Sequence, residues 1–121
     1  MLNEIKLRLS SFGYTMLPED EPLLDYLSKK LVETVKNLTN LDEVPEGLHY
    51  KIVDGVCAEF LESKFSTGKL DNISNIVKSI QEGDTTINFS ENSTPEAKFL
   101  SCIEAMRFNP NYTAKYRKLV W

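Results

Sequence analysis

Leu24, Leu27, Leu31, Val35 and Leu38 recur at steps of three or four residues, and nothing else in the sequence restricts the fold as much. That period lays one apolar stripe along about five turns of α-helix. Lys29, Lys30, Glu33 and Lys36 fill the opposite face, so the helix lies at the surface with one side on a core. Asp20 or Glu21 is the expected cap, and Pro22 suits the first helical position, where a missing N–H costs nothing.

Two further helices share this period. Leu2, Ile5, Leu9 and Phe12 give a short amphipathic helix over 2–12, weakened by Ser10, Ser11 and Gly13. Pro45 opens another, with Leu48, Ile52, Val56 and Phe60 at steps of four and Val53, Cys57 and Leu61 widening the stripe. Lys64, Gly68 and Lys69 supply the chemistry of its C-terminal end. Gly55 in its middle costs about 1 kcal/mol relative to alanine in an exposed helix, which points to a close approach of another helix.

After Gly68 the residues become β-branched. Ile76–Ile80 and Thr85–Phe89 flank Gln81-Glu-Gly-Asp84, and Thr85, Ile87 and Phe89 alternate with polar neighbours. The expectation is a β-hairpin at about 74–90, lying on the helices or pairing with another subunit because a lone hairpin is marginal in water. Ile80, Glu82, Asp84, Ile87 and Phe89 are its candidate subunit-interface residues. Ser93 and Glu96 have capping-box spacing around Pro95, and Phe99, Leu100, Ile103 and Met106 form the apolar face of a fourth helix. The predicted fold class is mainly α. It is a four-helix bundle-like domain over 1–111, with the hairpin between helices 3 and 4, followed by an extended tail over 112–121.

At 121 residues with 41% hydrophobic side chains, the chain suits one domain and needs no disulfide or metal staple. Cys57 and Cys102 are far apart and lack the neighbours of a zinc site. The N-terminal MLNEIKLRLSS has no apolar run of the kind a signal peptide or membrane span requires, so the chain is expected to stay in a reducing cytoplasm. No phosphate-binding glycine loop, nucleophile elbow or metal-spaced helix motif occurs, and His49 reads as a surface or interface histidine. The expectation is a protein without catalytic residues, metal or cofactor.

Charge is unevenly placed. Arg107, Lys115, Arg117 and Lys118 give residues 107–121 a charge of +4 with no acidic side chain, which leaves −8 on the rest of a chain whose net charge is −4. Tyr112, Tyr116, Leu119, Val120 and Trp121 interleave with those cations. Tyrosine, tryptophan and arginine are enriched as interface anchors, so Tyr112, Lys115, Tyr116, Arg117, Lys118, Leu119, Val120 and Trp121 are the candidate partner-docking residues.

The leucine helix at 20–38, Val44-Pro-Glu-Gly-Leu48 leading into the third helix, and the Ile80–Phe89 hairpin stand in a distinctive order. Together with Thr94-Pro-Glu96 and the ending Lys115-Tyr-Arg-Lys-Leu-Val-Trp121, this order resembles the head–tail connector (adaptor) family of tailed bacteriophages and prophages. The resemblance implies a virion protein assembled in the host bacterial cytoplasm. It would form a homo-oligomeric ring, a dodecamer, that docks under the portal protein through residues 112–121 and receives the next connector or tail-completion protein. Double-stranded DNA would pass through the ring without specific binding, and an acidic body repels phosphate. The competing readings are a small DNA-binding phage or plasmid regulator, whose affinity would fall steeply with salt, and a monomeric inhibitor of a host enzyme.

Overall fold

A computed structural model describes residues 1–83, 89 and 93–118. Among these residues five α-helices follow one another: α1 (Leu2–Ser11), α2 (Glu21–Thr39), α3 (His49–Ser66), α4 (Ile73–Gly83) and α5 (Pro95–Met106). Short 3-10 turns at Pro18–Asp20 and Glu46–Leu48 lead into α2 and α3, and a longer 3-10 segment, Pro110–Tyr116, follows α5.

Helix α3 is the axis of the molecule. Ile52, Val53, Val56, Cys57, Ala58, Phe60 and Leu61 are all buried, and α1, α2 and α5 pack around it while α4 packs on α5. Such a helix cannot be amphipathic in the usual sense, because its neighbours lie on several sides. The leucine stripe of α2 behaves as its period predicts: Leu24, Leu27, Leu31 and Val35 are buried. The helix ends at Asn40, whose φ of 57° is the left-handed conformation that asparagine adopts at helix ends.

Gly55 sits where helices come closest. A Cβ there would lie 3.0 Å from Leu31 Cδ2 on α2 and 3.0 Å from Phe108 Cβ. The expected close approach is therefore present, and it involves the chain after α5 as well as α2. Gly55→Val should cost about 1–3 kcal/mol through overpacking. The check is the midpoint of urea unfolding, and an unchanged midpoint would mean that Leu31 and Phe108 yield freely.

The β-hairpin is not seen: among the described residues there is no strand, and residues 85–88 of its second strand lie outside them. Residues Ile76–Ile80 lie inside helix α4, whose Ile76, Val77 and Ile80 are buried against the core. The reason is legible in the spacing: Ile73, Ile76, Val77 and Ile80 stand at i, i+3, i+4 and i+7, a helical stripe. Intrinsic β-preference spans only ~1 kcal/mol, less than the burial of three aliphatic side chains contributes. Of the candidate interface residues, Ile80 is thus a buried helix residue and Glu82 an exposed one on the same helix. Phe89 is half-buried against the core, under Lys98 Nζ at 5.7 Å from its ring centre, while Asp84 and Ile87 lie outside the described residues.

Two smaller corrections concern α5. Its N-cap is Thr94, whose Oγ1 accepts from the Ala97 N–H at 3.1 Å, one residue later than the Ser93 capping box predicts. Leu100, expected on the apolar face, is 45% exposed, whereas Phe99, Cys102 and Ile103 are fully buried. A helix packed on α3 and α4 turns its stripe toward both, and Leu100 falls beyond its edge.

Candidate functional site

The basic end of the chain is the segment most strongly marked by the sequence, and through residue 118 it folds back onto its own body. Arg107 leaves α5 with extended backbone angles (φ −60°, ψ 139°), and Asn109 caps the following 3-10 segment by accepting from the Asn111 N–H. Proline at the start of that segment presets its φ and gives up an N–H that would have had no partner. Within it Thr113 is completely buried, its hydroxyl donating to the Pro110 carbonyl at 2.7 Å.

The two tyrosines point inward. Tyr112 meets Phe108 edge to face at 5.5 Å, and Lys51 Nζ of α3 lies 4.1 Å from its ring centre. Tyr116 rests its hydroxyl on Gly47, in the turn before α3, so closely that a Cβ at that position would collide with it. Any side chain at position 47 would have to displace the end of the Tyr116 ring. Two hydrogen bonds close the strap: the Lys118 N–H donates to the Thr39 carbonyl at 2.7 Å, and the Asn40 Nδ2 donates to the Lys118 carbonyl at 3.0 Å. Thr39 ends α2, so its carbonyl belongs to the set that no helical N–H can reach, and the strap supplies the missing donor. Each such hydrogen bond contributes ~0.5–1.5 kcal/mol net.

The candidate docking residues are accordingly divided. Tyr112 and Tyr116 are half-buried on the chain's own body, while Lys115, Arg117 and Lys118 are exposed. Leu119, Val120 and Trp121 lie outside the described residues. The boundary expected between 111 and 112 falls inside the 3-10 segment, and the described part of the tail is a docked strap rather than an extended arm. The connection that supplies its seat, from Asn40 to Gly47, carries exposed Asp42, Glu43 and Glu46, opposite in sign to the strap. Sequence reasoning identified the stickiness of this segment and missed its first partner. Gly47, a glycine two residues after Pro45, was the available signal.

A second surface lies between α1 and α3. Leu7 and Tyr50, exposed by 71% and 72%, are the most exposed large apolar side chains among the described residues, and they flank a groove of about 520 Å³. Arg8 crosses it to Asp54 at 3.0 Å. At its edge His49 Nε2 and Glu4 Oε2 are 2.6 Å apart, and this hydrogen bond is the main reason the Glu4 carboxyl lies below its ordinary range.

The buried charges form a third group, which the sequence concealed. Asp20 was expected as a solvated helix cap, yet its side chain caps nothing on α2 and is 2% exposed. Instead Lys64 Nζ meets its Oδ1 at 2.7 Å, and the Tyr14 hydroxyl and the Leu17 N–H both donate to its Oδ2. Burial raises the Asp20 carboxyl, but those three donors outweigh it and hold the group below its usual range. Burial, followed by the hydrogen bond to Asp20, raises the Tyr14 hydroxyl, and burial pushes the Cys57 thiol up to about 12. Cys57 and Cys102 are both buried and neither is in a disulfide.

Among the described residues no three His, Cys, Asp or Glu side chains are grouped to hold a metal ion, and no helix is long and apolar enough to cross a membrane. No known protein family, curated protein or solved structure matches the chain.

Proposed function

We propose that this chain is a structural assembly subunit, a head–tail connector of a tailed bacteriophage that forms a ring beneath the portal and extends the DNA channel. The observation that carries the reading is the division of charge. Residues 1–106 carry −8 and residues 107–121 carry +4; Arg107 is paired with Glu62 and Glu104, the strap's tyrosines are half-buried, and its Lys115, Arg117 and Lys118 are turned to solvent. Exposed cations and a surplus of acidic surface on one subunit favour association of unlike surfaces, and a head-to-tail contact that closes on rotation gives a ring. The order of the segments other than the 80–89 hairpin supports the connector reading, and the exposed Leu7–Tyr50 groove offers apolar surface for a subunit contact.

In this reading the portal meets the cationic side of the strap and residues 119–121, because the tyrosines are already occupied. Replacing all three cations (Lys115→Glu, Arg117→Glu, Lys118→Glu) should leave the helical circular dichroism intact and weaken portal binding by roughly tenfold or more. Electron microscopy of the protein mixed with its portal shows whether a ring forms. A triple variant that still builds rings on the portal at wild-type concentration would remove the docking assignment. Steeply salt-dependent affinity for duplex DNA would instead favour a DNA-binding regulator.

A further inference from the structure

The expected hairpin was to have joined neighbouring subunits, and its first strand is a helix packed on the chain's own core. The strap offers a joint of a different kind. We propose that residues 110–118 are exchangeable between copies, so that the seat at Thr39, Asn40 and Gly47 of one subunit receives the strap of the next. This rests on the ring reading above and supplies its subunit link.

The seat's fit to this segment is already on the page. It offers the Thr39 carbonyl, the Asn40 amide and the bare Gly47 surface, and the strap fills them with the Lys118 backbone and the Tyr116 ring. The same contacts made by a second copy have the same intrinsic strength, so the choice between the chain's own strap and a neighbour's is set by concentration. A tethered segment competes at an effective concentration on the order of millimolar. Dilute subunits therefore keep their own strap, and crowding on a template shifts the balance.

Residues 107–109 form the hinge. Their three residues reach about 10 Å when extended, so a released strap reaches only its own seat or that of a subunit already in contact. Exchange is also directional: the seat lies on the α2–α3 connection and the strap follows α5, two different patches, as head-to-tail growth requires. Arg107 and Asn109 are extended, so opening demands no unwinding of α5; it breaks the Arg107 pairs with Glu62 and Glu104 and lifts Phe108 from Gly55 if the whole hinge moves.

The test uses full-length chains. Gly47→Phe blocks the seat from an exposed turn, outside α2 and α3 and away from the core, and leaves the strap intact. Tyr116→Ala combined with Lys118→Pro disables the strap, since proline has no N–H for the Thr39 carbonyl, and leaves the seat intact. Light scattering after incubation at about millimolar protein should show the wild type growing beyond the 13.8 kDa monomer, and each variant alone remaining a monomer. Mixing the two variants should give a dimer and nothing larger, because such a pair has one working strap and one working seat.

The proposal is overturned if the wild type stays monomeric throughout, if either variant assembles like the wild type, or if the mixture yields no dimer. Variants that still form rings on the portal would leave the connector reading standing and remove strap exchange. A mixed dimer from subunits that ignore the portal would do the reverse.

Discussion

Asp20→Ala should destabilise the protein by about 3–5 kcal/mol, the usual cost of leaving one member of a buried ion pair alone. Lys64 reaches Asp20 from the C-terminal end of α3 with only 5% of its surface exposed, and it has no carboxylate other than Asp20 within ion-pair distance among the described residues. Removing the carboxylate also deprives the Tyr14 hydroxyl and the Leu17 N–H of their acceptor. The loop between α1 and α2, which these bonds fasten to α3, would lose its anchor. A domain of this kind has ~5–15 kcal/mol in total, so the loss is a large fraction of its stability. Urea unfolding measures it, and a change below about 1 kcal/mol would show that Lys64 finds water or another partner.

The same network sets an acid limit. The folded Asp20 carboxyl titrates below the ordinary unfolded value of about 3.9. Its contribution is therefore complete above that unfolded value, and it is lost as the pH falls through the folded one. Asp20→Ala should flatten the acid limb of a stability-against-pH curve. Replacing both partners by apolar residues, Asp20→Leu with Lys64→Met, should recover part of the loss, because no unpaired charge remains buried.

Phe99→Ala should also cost about 3–5 kcal/mol, and Leu100→Ala within about 0.5 kcal/mol of nothing. The two residues are adjacent, and in the sequence both belong to one apolar stripe. In the fold Phe99 is completely buried, its ring 4.8 Å from that of Phe65 on α3, while Leu100 is 45% exposed. Truncating Phe99 opens a cavity at the α3–α5 contact that surrounding helices close only partly. Truncating Leu100 removes surface that was already wet. Thermal or urea unfolding of the pair separates them, and equal losses would mean that α5 is rotated from the position described.

Local patterning carried much of the architecture. The stripes of α1 and α2 and the start signals at Pro22 and Pro95 follow from helical period and capping, which need only neighbours within a turn or two, whereas Pro45 leads a 3-10 turn and α3 begins at His49. The close approach at Gly55 was legible for the same reason: a glycine in mid-helix calls for a neighbour that excludes a side chain. Helix α4 was misread because β-branched residues were weighed ahead of the i, i+3, i+4, i+7 stripe of Ile73, Ile76, Val77 and Ile80 that they formed.

What the sequence determined by itself is four of the five described helices, the acidic body and the basic, aromatic end, since composition and short-range spacing suffice for these. Only the tertiary structure decided that Asp20, at the N-cap position of α2, turns its carboxylate inward to Lys64, and that Tyr116 and Lys118 close on Gly47 and Thr39. Each of those pairs joins residues more than forty positions apart in the chain, at 20 and 64, 47 and 116, or 39 and 118. Local period carries no information about such pairs; the packing of α2 and α5 around α3 brings them together.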